Sequence, residues 1–352
     1  MFSPFLLLAA AATAPVPATA QGPVPGEVKI FKDWYVACDN VWSCDAGTLS
    51  DDGSEIFTAQ VVRIRREGGP NARFSIELVP QEEQAKGPAS LVIDGAKPLT
   101  GMQDSDGDTW LDEERSMGIA RGLANGTSAK VVLSDGSAIP ISLAGSSAAM
   151  RYIDAIQQRA GTSGAIVATG PKPDTALPPA MPQLTARAAT SLIELPDLKA
   201  YPKVIADTGC EFRMEGAQDS VESLGQRNGK DMALVLIACD SGAYNFGSVV
   251  MIAERPMEDP NARWTFRKAK FETPTGWGDE EQVAQVVNAS FDPATGILSE
   301  FAKGRGPGDC GTSNNFAWDG EQFRLAEQHF MDECRGAWDW PRVWVAEVSL
   351  VK

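Results

Sequence analysis

Short apolar-alternating runs broken by tight-turn chemistry recur along this chain, and they are densest between Asn288 and Gly336. Asp292-Pro-Ala-Thr-Gly296 and Asp319-Gly320 each sit between two such runs. Strand side chains point to opposite faces in turn, and Asp, Pro and Gly supply the backbone angles of a reversal. Both places therefore read as β-hairpins. Cys310 and Cys334 bracket the second hairpin like a staple. A chain punctuated this way is committed to antiparallel sheet, because strands joined by short turns pair with their neighbours.

The same rhythm runs upstream. Val28–Val36, Ile56–Ile64, Arg73–Val79 and Leu91–Ile93 read as strands, and Lys130–Leu143 as a hairpin about Asp135-Gly136. The period then changes: Ala149, Met150, Ile153, Ile156 and Ala160 recur at helical steps, with Ser146 or Ser147 to cap the helix and Gly161 to stop it. Residues 166–187 hold Pro171, Pro173, Pro178, Pro179 and Pro182 without apolar periodicity, the signature of an extended linker. Beyond it come a short helix over Leu192–Lys199, a continuous apolar run Ala233–Cys239 buried on both faces, and strands at Gly247–Ala253, Trp264–Phe271, Val283–Phe291 and Val343–Leu350. The expected fold is mainly β. Residues 21–165 form an α+β sheet or sandwich with one covering helix, 166–187 the linker, and 188–352 a β-meander or barrel-like domain. At 352 residues with 43% hydrophobic content, each half can bury its own core.

Residues 1–20 carry the compartment signal. Phe5-Leu-Leu-Leu-Ala-Ala is too short to span a bilayer, and Ala18-Thr19-Ala20 offers small residues for cleavage ahead of Gln21. The basic residues that usually open such a leader are missing. The reading is a signal peptide and a periplasmic or secreted protein without membrane insertion. A net charge of −16 argues against nucleic acid, whose phosphates demand Lys/Arg stripes. Six cysteines suit an oxidising compartment. Nearest-neighbour pairing gives Cys38–Cys44, Cys210–Cys239 and Cys310–Cys334, one of about 15 arrangements open to six cysteines. A zinc cluster is the rival use, but there is no CxxC and a single histidine.

The segments Phe31-Lys-Asp-Trp-Tyr-Val-Ala-Cys-Asp-Asn40, Ala238-Cys-Asp-Ser-Gly-Ala-Tyr-Asn245, Lys303-Gly-Arg-Gly-Pro-Gly-Asp-Cys-Gly311, Trp318-Asp-Gly320 and Cys334-Arg-Gly336 together resemble a family of secreted bacterial proteins, domain of unknown function 1176. The resemblance covers nearly the whole chain after the leader, and the Lys303–Gly311 segment is its most specific part. The first half alone is also similar to proteins of the invasion-associated locus B type. Neither likeness implies an activity.

Four features could carry chemistry. Asp104, Asp106, Asp108 and Asp112 match the oxygen-ligand spacing of a calcium loop, since alternate residues of a curled loop can converge on a hard cation. Thr109 stands where that loop wants glycine, however, and Arg115 where it wants a carboxylate, so a solvated acidic turn fits the residues as well. Gly304-Arg-Gly-Pro-Gly308 could form a backbone nest for an anion aided by Arg305, or a rigid turn with Arg305 paired to Asp309. His329 is the only histidine, so any histidine-based nucleophilic mechanism must pass through it. Trp318, Trp338 and Trp340 offer flat faces for a carbohydrate or peptide, or fill a core. The resulting expectation is a non-catalytic binding or envelope-accessory module. It would act on a cell-envelope polymer or partner protein without a cofactor. A hydrolase using paired carboxylates and a calcium-binding protein are the alternatives.

Overall fold

The computed structural model describes residues 22–50, 60–79, 87–189, 191, 193–210, 213, 216, 218–273 and 285–351. The leader at 1–20, the start of the strand expected from Ile56, and the expected element starts at Leu192 and Val283 lie outside the described residues. Trp34–Cys38, Cys44–Thr48, Val62–Arg66 and Phe74–Leu78 form the centre of a seven-stranded antiparallel sheet. Lys29–Phe31 makes one edge; Thr109–Trp110 and then Met102–Gln103 make the other. Alternation divides the two faces. Val62, Ile64, Ile76 and Leu78 are fully buried in the apolar core, whereas Arg63 pairs across strands with Glu77, and Arg65 with Asp45.

That core is closed by a four-stranded sheet (Ser90–Ile93, Leu99–Thr100, Ala129–Val132 and Ala138–Ile141) and by two helices, α1 (Ser116–Asn125) and α2 (Ser146–Ile156). α2 is the helix expected from the sequence; α1 is an addition. Gly118 and Gly122 dilute the helical signal of α1, yet Ile119, Ala120 and Leu123 place a proper stripe in the core. The cap and stop of α2 differ from expectation. Gly145, in the left-handed region at φ 100°, precedes the first turn, and the Ser146 hydroxyl donates to the carbonyls of Leu123 and Leu143 at 2.9 and 2.8 Å. The helix ends at Ile156, because Gln158 turns left-handed and the Gln157 amide reaches back to the carbonyls of Trp42 and Arg66.

In the second half the meander is folded into two sheets that face each other. Ser220–Arg227, Lys230–Ser241, Phe246–Pro256, Thr265–Lys268 and Gln285–Val287 form one, and Ser290–Asp292, Ile297–Lys303, Gly311–Trp318, Phe323–Met331 and Arg342–Val345 the other. The chain crosses between them at Asn288, whose φ of 47° breaks the extended run. Leu234, Leu236, Val250 and Ile252 join Leu298, Phe316, Trp318 and Leu325 in the core between the sheets. Ala233, Val235, Ile237 and Cys239 belong to a separate cluster with Trp264 and Tyr201, which is why the run Ala233–Cys239 is apolar without a break. The helix expected over Leu192–Lys199 is displaced to α3 (Pro202–Ala206), which proline opens at a position where its missing N–H costs nothing. The three disulfides join Cys38 to Cys44, Cys210 to Cys239 and Cys310 to Cys334.

The Pro-rich segment 166–187 is extended and fastened. The fully buried Asp154 carboxylate accepts the N–H groups of Ile166, Val167 and Ala168 at 2.7, 2.8 and 3.0 Å. Arg159 pairs with Asp174 at 2.9 Å, and Gln183–Arg187 forms a parallel ladder with Glu347–Val351. Removing the Asp154 carboxylate strands three amide donors, each bonded to a charged acceptor. Asp154→Ala should therefore lower unfolding free energy by roughly 2–4 kcal/mol. It should also bring the first proteolytic cut to residues 166–168; an unchanged urea midpoint and cleavage pattern would show that the segment is held by other contacts.

Candidate functional site

The turn from Lys303 to Gly311 is built around one buried carboxylate. Asp309 is fully buried, and Arg305 meets it bidentately at 2.8 and 2.6 Å. Arg305 also donates to the Cys334 carbonyl at 2.8 Å, and the Gly336 N–H donates to Asp309 at 2.8 Å. Burial opposes the charge on Asp309, but Arg305 and the Gly336 N–H outweigh it and hold the carboxyl below its ordinary value. Gly311, at φ 147°, has no room for a side chain: a Cβ there would stand 2.1 Å from the Ala302 carbonyl and 2.7 Å from the Trp340 ring. The structure thus brings Arg305 and Asp309 together as an ion pair that clamps the loop after Cys334.

That loop is the bridge to the first half. Arg335 bonds the carbonyls of Ser50 and Lys32 and the Asp33 carboxylate. The Gln60 side chain accepts the N–H groups of Trp338 and Asp339 at 2.7 and 2.9 Å, and Arg342 pairs with the buried Asp39 at 2.8 Å. Arg63 reaches both Glu77 and Asp339. Tyr35 is packed beneath, lying across Gly47, where a Cβ would stand 2.6 Å from its ring. A cleft of about 620 Å³ opens beside this seam. The Pro25–Lys29 segment forms one wall, and Thr312, Asn314, Gln328 and Phe330 the other.

Of the three tryptophans considered as contact faces, Trp318 and Trp340 are turned inward. Trp318 is 1% exposed and packs on Phe323, with ring centres 5.0 Å apart. Trp338 is part-buried, and Trp340 is buried and stacked flat on Phe301 at 4.7 Å. Among the described residues, the exposed aromatic side chains are instead Tyr244, Phe246 and Phe301. All three hang on Asn288. Its side-chain amide donates to the carbonyls of Tyr244 and Phe301 at 3.1 and 2.9 Å, and its oxygen accepts the Phe246 N–H at 3.0 Å. Asn245, itself buried, bonds both backbone groups of Lys303. The Tyr244 ring lies 3.7 Å from the place a Gly306 Cβ would occupy, so the patch borders the Lys303–Gly311 turn. The sequence did carry a signal here: Tyr244-Asn245-Phe246 sets two aromatics about an asparagine at a turn, where no core position calls for them.

Comparison with known proteins now bears on this site. A family model described as "Protein of unknown function (DUF1176)" matches residues 28–347. The chain belongs to the DUF1176 family. A relative, "Uncharacterized protein YpfG" of Escherichia coli (strain K12), is 30% identical over 343 residues, covering 90% of this chain and 92% of the relative. No solved structure matches. The DUF1176 match takes in the clamp, the seam and the exposed aromatics alike.

In this DUF1176 protein the four aspartates of the acidic loop serve different ends. The Asp104 carboxylate accepts the N–H groups of Asp106 and Asp108 and the Trp110 indole N–H, the last at 2.7 Å. Asp112 caps the short turn Glu113–Arg115. Burial pushes Asp108 up to about 6, near Arg63. Among the described residues, no group of three or more His, Cys, Asp or Glu is placed to hold a metal ion. His329 leans on the seam, one ring nitrogen 2.9 Å from the Trp340 carbonyl and the other 3.4 Å from Glu327.

Two expectations follow from the clamp and the seam. Asp309→Ala takes the charged acceptor from the half-exposed Arg305 and from the Gly336 N–H, so it should cost roughly 2–4 kcal/mol in chemical denaturation; a loss under about 1 kcal/mol would mean the disulfide alone holds the loop. Burial also pushes Glu77 up to about 7 from an ordinary 4.5, despite Arg63. At His329 burial opposes protonation, but the Glu327 carboxylate and the Trp340 carbonyl outweigh it, raising the ring above 6.5. Both groups bind protons more tightly folded than unfolded. Their stabilisation is fully present below the unfolded values and is lost as pH rises through the folded ones. The melting temperature should fall by several degrees between about pH 5 and about pH 8, and Glu77→Gln with His329→Gln should flatten that slope.

Proposed function

We propose that this DUF1176 protein is an exported, non-catalytic binding or accessory module of the cell envelope. In this reading residues 1–20 are a leader removed ahead of Gln21, and the three disulfides close in the oxidising periplasm or outside the cell. No described helix is long and apolar enough to cross a membrane, in keeping with a protein that works at an envelope surface. The observation that carries the binding role is the convergence of Tyr244, Phe246 and Phe301 on Asn288. Exposed rings cost solvation, and rings whose backbone is held by a shared amide have less to order on meeting a partner.

One observation favours the hydrolase reading: Glu77 and Asp108, both raised by burial, flank Arg63 at the seam. A photo-crosslinking residue in place of Phe246, in the exported protein of living cells, separates the two. The binding reading expects covalent adducts to an envelope polymer or protein, and no soluble fragments when purified protein is incubated with cell-wall material. Absence of adducts refutes it. Fragments that disappear with Glu77→Gln would establish the hydrolase instead.

A further inference from the structure

We propose that Tyr244, Phe246 and Phe301 form a stacking platform for the pyranose rings of a polysaccharide chain, with Lys303 at its edge as a cationic contact. The inference rests on the binding role proposed above and names its ligand class. Tyr244, Phe246 and Phe301 are 38%, 52% and 39% exposed. None of the large exposed aliphatic side chains lies on Phe246–Pro256 or Ile297–Lys303, or in the turns that carry the rings. Their neighbours are small or short: Ser241, Gly242, Ala243, Gly304, Gly306 and Pro307. A protein partner of the usual kind is anchored by aromatics set among further packed side chains that exclude water. A sugar ring needs something different: a flat apolar face against its C–H groups, and room around it for hydrated hydroxyls. Bare rings among glycines and serines meet that need.

The backbone that carries the rings is also fixed in place. The Asn288 amide ties the backbone of all three residues, and Trp340 backs Phe301 at an interplanar angle of 5°. A stacking surface that is rigid before binding loses little freedom on contact, so a weak, repeated interaction along a polymer becomes useful. Lys303 lies two residues beyond Phe301 on the same face of its strand, and among the described residues no carboxylate pairs with its ammonium. It can meet a hydroxyl or a sugar carboxylate. Nucleic acid bases also stack on rings, but Lys303 at the edge is no basic stripe of the kind a phosphate backbone needs.

The test is calorimetric titration of the folded protein with chitohexaose, with a galacturonic acid hexamer, and with an aromatic-rich decapeptide. Binding of a hexasaccharide is expected. Tyr244→Ala and Phe246→Ala should each weaken it about tenfold at unchanged melting temperature, while Met257→Ala, exposed but off these strands, should leave it intact. Lys303→Gln should weaken the galacturonate arm and leave the chitohexaose arm intact; no effect on the galacturonate arm overturns the cationic contact. Asn288→Ala, which loosens the backbone under the rings without removing one, should weaken saccharide binding while the purified fold still melts cooperatively. Failure to bind either saccharide, or binding indifferent to both ring substitutions, overturns the proposal. If the peptide alone binds, or the Phe246 crosslinks are to protein only, the ligand class is wrong and the binding role stands. If neither saccharide binds and no adduct forms, both fall.

Discussion

Asp309 is the constraint on which the rest of the second half is hung. A carboxylate with no solvent contact is expensive unless charge and hydrogen bonds surround it. Here the compensation comes from Arg305 on the same turn and from the Gly336 N–H on another loop. The requirement to satisfy that charge therefore dictates where residues 334–336 lie, and the Cys310–Cys334 bond makes the placement covalent. Everything downstream inherits the position: Arg335 and Arg342 reach the first half, and Trp340 lands flat against Phe301. The Gly-Arg-Gly-Pro-Gly run is a rigid turn and not a backbone nest: the anion it meets, through the Arg305 side chain, is Asp309 of the same turn, while the N–H groups of Gly304 and Gly308 bond carbonyls.

What the sequence made legible follows from what is local. Hairpins at Asp135-Gly136 and Asp319-Gly320, the doubly buried strand at Ala233–Cys239 and the α2 stripe are written in patterns spanning a few residues, and each stands in the structure. The disulfide pairing was readable because each pair closes within its own sheet system. Less legible were features whose meaning depends on a distant partner. Residues 166–187 read as an extended linker because prolines are visible, whereas the buried acceptor that fastens them, Asp154, sits on a helix as one charged residue among many. α1 was hidden by Gly118 and Gly122, the second of which a side chain would bring to 3.1 Å from Ile93. The tryptophans drew attention by type alone, and type does not say which way a ring points.

The seam between the halves shows why its chemistry is polar. An apolar contact would stabilise association without fixing direction, whereas Arg335–Asp33, Arg342–Asp39 and the Gln60 bonds to Trp338 and Asp339 each admit a single arrangement. Glycine at position 47 lets Tyr35 lie flat under that network, so even the apolar part of the seam is shaped to support it. A charged seam is costly to desolvate, and the raised proton affinity of Glu77 is the visible trace of that cost.

Trp340 ties these levels together. Its carbonyl faces His329 in the seam, its ring stacks beneath Phe301 at the exposed patch, and its position is set by the loop that Asp309 clamps. One buried carboxylate, one disulfide and one inward-facing tryptophan thus connect the polar seam to the aromatic surface. An exposed ring such as Phe301 would ordinarily fold down onto its own strand to escape water. With Trp340 already filling the space behind it, it has nowhere to go, and the surface stays open because the interior is full.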